Sequence, residues 1–168
     1  FITLVGTPMN VLFNSGLAYM LSKKAIPGRR IINKLVMFTM LFGAGMIPNY
    51  INMSNLNLLN TWWASILPAT CGAWNVMVMR SFFEGLPIGL EEAAEIDGCS
   101  QIKIFTTIVL PLSKAMLATF TLFAAVSYWN TYFSSVMYVT RTELISLQVY
   151  LQKIVLSSNI SDVIDMTS

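Results

Sequence analysis

The sequence predicts an all-α bundle of membrane-spanning helices, with about four spans, and three observations carry that prediction. Hydrophobic residues make up 55% of the 168 and charged residues only 11%, against about 25% charged in ordinary globular domains. The apolar residues gather in runs of about the twenty residues that a bilayer core demands. Charges are confined to the connectors between those runs, with no Asp, Glu, Lys or Arg near the middle of any span.

The first span is expected over residues 1–21, interrupted by Asn10, Asn14 and Ser15 and bent or begun by Pro8. Lys23, Lys24, Arg29, Arg30 and Lys34 follow around a Pro27-Gly28 turn. Five bases in a short connector place residues 23–34 in the cytosol by the positive-inside rule. The second span runs from Leu35 to about Ile47 or Ile51, and Gly43-Ala44-Gly45 within it offers small packing surfaces. An uncharged, Asn-rich connector (Asn52, Asn55, Asn57, Asn60) suits the outer face, and Trp62 and Trp63 suit its headgroup boundary. The third span covers 62–79, with Pro68 inside it and Arg80 at its inner end. The fourth covers 115–139. Beyond Arg141 and Glu143, Leu144, Leu147, Val149, Leu151, Ile154 and Val155 suggest an amphipathic helix, before a polar tail bearing Asp162 and Asp165.

Between the third and fourth spans lies the one densely charged stretch. Glu84, Glu91, Glu92, Glu95 and Asp97 crowd together there. An Asp at a helix centre in hydrocarbon costs roughly 2.5–3.5 kcal/mol on the mildest scale, so this stretch lies outside the bilayer. Pro87 suits a helix's first turn, and Gly98 sits where a helix ends in a left-handed residue. Ser100 suits the cap of a second short helix, Gln101 to Ile108, which Pro111 separates from the next apolar run. Leu90, Ala93, Ala94 and Asp97 recur at helical spacing, so that the two alanines are expected to form one small patch. A solvated connecting loop is the plain alternative for such a helix.

The spacing Glu92-Ala93-Ala94, three residues, Gly98, nine residues, Ile108-x-Leu110-Pro111 resembles the EAA loop of ABC importer permeases. In that family the loop, here about 81–111, is a coupling helix that docks in a groove of a cytosolic ATPase. The resemblance implies that Glu92 pairs with a basic group there, that Ala93 and Ala94 allow close approach, and that Gly98 makes the turn. Gly16-Leu17-Ala18-Tyr19, Ile47-Pro48 and Arg80-Ser81-Phe82-Phe83 are similar to maltose-type (MalG-like) carbohydrate permeases. Leu59-Asn60-Thr61-Trp62-Trp63-Ala64 and Tyr128-Trp129-Asn130-Thr131-Tyr132-Phe133 look closest to the subgroup associated with complex oligosaccharides. The resemblance implies a second, homologous permease, an ATPase dimer and an extracytoplasmic sugar-binding protein as partners, in a bacterial cell membrane. It also implies a partial transmembrane domain over 1–168, because such permeases carry a further helix on each side.

For the solute path, Tyr128, Trp129, Asn130 and Tyr132 combine ring faces that stack on sugars with groups that hydrogen-bond their hydroxyls. Asn14, on one helical face with Asn10, either lines that path or bonds between helices. Without ionisable groups in the spans, transport energised by a separate ATPase is favoured over proton or sodium coupling. The chain has no G-x-x-x-x-G-K-[ST] loop of its own. It also has no His, no G-x-S-x-G and no H-E-x-x-H, which disfavours an intramembrane hydrolase. No metal site or cofactor is expected, and the net charge of +2 is no nucleic-acid signature. An importer of another polar solute is the near alternative, and a membrane scaffold the distant one.

Overall fold

The computed structural model describes residues 1–23, 26–141 and 144–156, and over these the chain is helical with no strand. Lys24, Glu143, Asp162 and Asp165, drawn into the sequence expectations above, lie outside the described residues.

Helix α1, Ile2–Ser22, runs unbroken for 21 residues with Pro8 inside it. Its small and polar residues form one inward stripe: Gly6, Asn10, Asn14, Ala18 and their neighbours are buried. Along this stripe α1 packs against α5 (Ala73–Glu84) and α9 (Lys114–Trp129). Those two helices offer matching apolar faces, Val76, Met79 and Phe83 on α5 and Met116, Phe120, Ala124 and Tyr128 on α9. Close approach is tightest at Gly6, where a Cβ would sit 2.8 Å from the Tyr128 ring.

The C-terminal end of α1 is tied to the next helix. Ser22 Oγ donates to Tyr19 O at 2.7 Å, and the Arg29 guanidinium donates to Leu21 O at 2.6 Å. A cation beside the last carbonyls of a helix complements its dipole. Gly28 takes φ +76° in the turn, and α2 follows over Arg29–Leu41.

The expected second span is not one helix. It divides into α2 and α3 (Met46–Asn55), which meet at 116°. Gly43 and Gly45 favour a break, Gly45 adopts φ +84°, and Pro48 falls in the first turn of α3, where its missing N–H costs nothing. The third span is likewise divided. α4, Trp63–Ile66, passes into a 3₁₀ turn, Leu67–Ala69, and α5 starts only at Ala73. The fourth is divided between α9 and α10 (Tyr132–Tyr138) at Asn130-Thr131. Among the described residues no single helix is long and apolar enough to cross a membrane, whereas two bent pairs together reach that length and composition.

The break at Pro68–Gly72 is held by side chains from other helices. Asn14 Nδ2 donates to Thr70 O at 3.1 Å while its Oδ1 accepts from Gly72 N–H at 3.0 Å. Asn10 Nδ2 donates to Ala69 O at 2.7 Å, and Tyr128 O–H donates to Ile66 O at 3.1 Å. Backbone groups released by a broken helix in an apolar interior need such partners.

At the opposite end, Asn57 and Asn60 adopt positive φ, 54° and 59°, as Asn tolerates better than most residues. Asn60 Oδ1 accepts from Thr140 N–H and Thr140 Oγ1, both at 2.7 Å, closing the Asn-rich connector onto the end of α10. A helix does form there, α11, Leu147–Leu156, but it is apolar rather than amphipathic: of the expected residues Val149 is buried, whereas Leu147, Leu151, Ile154 and Val155 are exposed.

Replacing Asn14 by Leu leaves Thr70 O and Gly72 N–H without partners. Each abandoned group should cost about 1–3 kcal/mol. The expected outcome is a lower thermal unfolding midpoint for the detergent-purified protein, and an unchanged midpoint would show that the break does not depend on this side chain.

Candidate functional site

The charged stretch folds as a helical protrusion whose parts follow from its sequence. Pro87, at φ −60° and ψ 114°, stands before α6, Ile88–Ile96. The helix ends in a glycine-based C-cap. Gly98 takes φ +78°, Cys99 N–H donates to Ala94 O at 2.9 Å, and Gly98 N–H donates to Glu95 O at 3.0 Å. That is the Schellman pattern, which a left-handed residue makes possible. Ser100 then caps α7, Gln101–Ile104, its Oγ accepting from Lys103 N–H at 3.4 Å.

Pro111 does not end this second helix. The helix widens into a π turn, Phe105–Val109, where Leu110 N–H reaches back to Phe105 O, and continues as α8, Leu110–Leu112. The sharp change of direction, 85°, comes at Ser113 before α9. Pro111 has no N–H to give the preceding turn, and a wide turn upstream accommodates the lost bond. Ile108 and Leu110 are half-buried against the bundle, and Pro111 is exposed.

The two alanines do not form one patch. Ala94 is buried, in the same cluster as Tyr19, Phe83 and Ile104, whereas Ala93 is exposed. Successive helical residues point 100° apart at 3.6 residues per turn, so one alanine seats α6 on the bundle and the other faces outward.

The acids are sorted in the same way. Glu91 forms an ion pair with Lys23, and Glu84 takes both Arg29 and Arg80. Glu95 Oε1 accepts from Gln101 Nε2 at 2.5 Å. Burial beside α6 pushes the Lys23 ammonium below the ordinary lysine value, and the Glu95 carboxylate pulls it partly back. Glu92 is exposed and has no ion pair or hydrogen-bonded side-chain partner among the described residues. It borders a groove of about 540 Å³ with Lys23, Glu84, Ile88, Glu91 and Glu95. Ile88 and Ile96, one helical turn to either side of it, are 61 and 86% exposed, and Leu90 and Ile102 elsewhere on the protrusion are 46 and 77% exposed.

Of the candidate path residues, Tyr128 and Trp129 border one groove and the others lie apart from it. Asn14 is fully buried with its amide committed at the Pro68–Gly72 break, the helix-to-helix role that its sequence position left open. Tyr128 is 2% exposed and bonded to Ile66 O. Trp129 and Asn130 are exposed at the end of α9. Trp129 shares a groove of about 260 Å³ with Trp62, Thr131 and Gln148. Tyr132 borders a different groove of about 360 Å³, with Thr140, Gln152 and Lys153. Gln148, whose amide donates to Trp129 O, and Asn60 were not singled out by sequence reasoning. Each is a polar residue whose partner is distant in the chain, so no local pattern marks it.

An apolar bundle of broken helices with one charged helical protrusion, in a chain that is 55% hydrophobic, fits a membrane component. The chain belongs to the family of binding-protein-dependent transport system inner membrane components, whose model matches residues 2–161. It is 44% identical to Protein LplC of Bacillus subtilis (strain 168), over 96% of this chain and 55% of that protein. It is 43% identical to the polygalacturonan/rhamnogalacturonan transport system permease protein YtcP of the same organism, over 95% of this chain and 56% of that one. The crystal structure of a bacterial ABC transporter involved in the import of the acidic polysaccharide alginate contains a similar chain. That chain superposes with a TM-score of 0.87 at 42% identity, over 91% of this chain and 55% of its own length. The chain thus spans about half the length of the relatives it matches.

Substitution at Gly98 should disturb the protrusion without touching the bundle. A β-carbon at φ +78° costs about 1–2 kcal/mol. Gly98→Val should therefore loosen the α6–α7 turn, read as faster amide hydrogen exchange at Gly98 and Cys99, while Gly98→Asn exchanges nearly as slowly as the parent. Equal exchange in all three would show that the turn does not need its left-handed residue.

Proposed function

We propose that this chain is a membrane permease subunit of an ATP-driven ABC importer for a carbohydrate, an oligosaccharide, and that it couples to a separate ATPase through the outward face of α6. The observation that carries the reading is the free Glu92 carboxylate beside exposed Ala93, in a cluster whose other glutamates are engaged within the chain. An exposed acid with an exposed isoleucine one turn to either side, Ile88 and Ile96, suits a partner groove with a basic group at its floor.

Residues 23–34 and 81–114 face the cytosol of a bacterial cell in this reading. ATP closes the ATPase dimer, the grooves carry the coupling helices inward, and the helical bundle rocks to turn its solute path from one side to the other. A second, homologous permease completes the path, and an extracytoplasmic binding protein delivers the sugar. Ala94, Gly98, Ile108, Leu110 and Pro111 fix the shape that presents Glu92. Trp129, Asn130 and Tyr132 are the exposed or half-exposed path candidates. Asn14 and Tyr128 act behind them, holding the broken helix. The names of relatives, polygalacturonan/rhamnogalacturonan and arabinooligosaccharide permeases among them, support an oligosaccharide.

A second reading, an importer of another polar solute, has one observation in its favour. The chain is 35% identical over 132 residues to the sn-glycerol-3-phosphate transport system permease protein UgpE of Salmonella typhi.

Single cysteines at Ala93 and Ala94 test the coupling face in the complete importer. Cysteine at exposed Ala93 should cross-link to the ATPase with a yield that changes on ATP addition, and cysteine at buried Ala94 should not. Glu92→Lys should lower uptake at least tenfold with the subunit still in the membrane. Labelling of Ala93→Cys only from the outer side, or normal uptake by Glu92→Lys, would refute the assignment.

A further inference from the structure

The side of α6 that carries Glu91 and Glu95 has its own connection, and it leads to α1. Tyr19, within the Gly16-Leu17-Ala18-Tyr19 run, is 7% exposed. Its ring stacks on Phe105 at 4.8 Å between centroids and meets the edge of Phe83 at 6.0 Å. Lys23 Nζ lies 4.5 Å from the same ring centroid and pairs with Glu91. The Tyr19 hydroxyl donates to Gln101 Oε1 at 3.4 Å, and Gln101 Nε2 donates on to Glu95 Oε1 at 2.5 Å. Two acids one turn apart on α6 therefore hold the inner end of α1 at two points, one directly and one through Gln101.

We infer that Tyr19 and Lys23 form the joint through which α6 drives α1, with the Lys23–Glu91 ion pair as its latch. The inference rests on the coupling function proposed above. At 21 residues, α1 is the longest unbroken helix among those described, about 30 Å of stiff rod at 1.5 Å per residue. Farther along the same rod, Asn10 and Asn14 grip the break at Ala69–Gly72. A displacement of α6 is thus delivered to the one place where the third apolar run is already divided. The Lys23 and Glu91 side chains are only 23 and 17% exposed, so the latch is less diluted by water than an ordinary surface pair. An open, mostly apolar groove of about 510 Å³ beside it, lined by Gly16, Met20, Phe105 and Ile102, leaves the joint room to pivot.

Cys71 is an exposed native reporter at that break. In the complete importer carrying Cys99→Ser, the rate of Cys71 labelling by N-ethylmaleimide is measured with and without ATP–vanadate trapping. The parent should show at least a threefold ATP-dependent change. Lys23→Glu and Glu91→Lys should each abolish that change while the ATPase still copurifies, and the double swap should restore it. Glu91→Gln, which keeps the shape and drops the charge, should behave as the single reversals do. A parent without the change, single variants that retain it, or a swap no better than either single variant would each overturn the joint. Failure of any ATPase to copurify with the parent would instead overturn the coupling function beneath it.

Discussion

The Asn14 side chain is the interaction on which the rest of the bundle depends. Pro68 and Gly72 divide an apolar run, and the division releases carbonyls and an N–H that lose their helical partners. One amide answers two of those groups at once, donating to Thr70 O and accepting from Gly72 N–H, with Asn10 and Tyr128 answering two more. A buried amide without such partners would be a liability of a few kcal/mol. Here it is what makes a divided helix possible in an apolar setting, and it fixes the register of α1 against both α5 and α9. Gly6 beneath Tyr128 belongs to the same arrangement, because any side chain there would displace the ring from Ile66.

Polar groups in the protrusion are divided by direction. On α6, Ala94 is buried on the bundle, Glu91 and Glu95 bond to Lys23 and Gln101, Ala93 is exposed, and Glu92 borders the groove beside Lys23 without a side-chain partner among the described residues. A helix with acids on both faces can hold its own chain with one and engage another protein with the other. Ile96 and Ile102 stand 86 and 77% exposed on this polar connector, and large exposed apolar side chains of that kind are what the proposed coupling surface would use.

Much of this was legible in the sequence, and the remainder was hidden for a physical reason. The helical class, the charged protrusion, the left-handed Gly98 and the Ser100 cap all follow from local rules, and the structure has them. Continuity of the spans was misjudged. Hydropathy registers Leu35 to Ile51 as one run, but Gly43 and Gly45 break it without lowering its apolar character. The same holds for Pro68–Gly72 and for Asn130-Thr131. A break in hydrocarbon depends on partners such as Asn14, 56 residues from Thr70 along the chain, and no local window contains both. The paired alanines failed differently. Their helical spacing to Leu90 and Asp97 was sound, but adjacent residues cannot share a face.

Asn10 and Asn14 occupy one face of α1, so the sequence alone left two roles open to them, bonding and path lining. Their bonds to Ala69 O, Thr70 O and Gly72 N–H narrow the choice. An amide that saturates its hydrogen bonds against backbone has none left for a passing hydroxyl. The side chains of Trp129 and Asn130 are exposed at the end of α9, and Trp129 borders a groove with Trp62 and Gln148. In the proposed importer a sliding solute must meet surfaces that bind weakly and release, which exposed ring faces and a free amide would provide. The buried amides supply the opposite property, a fixed geometry. The two sets differ in chemistry only by context, which is why residues of the same type serve as framework at one level of the bundle and as contact surface at another.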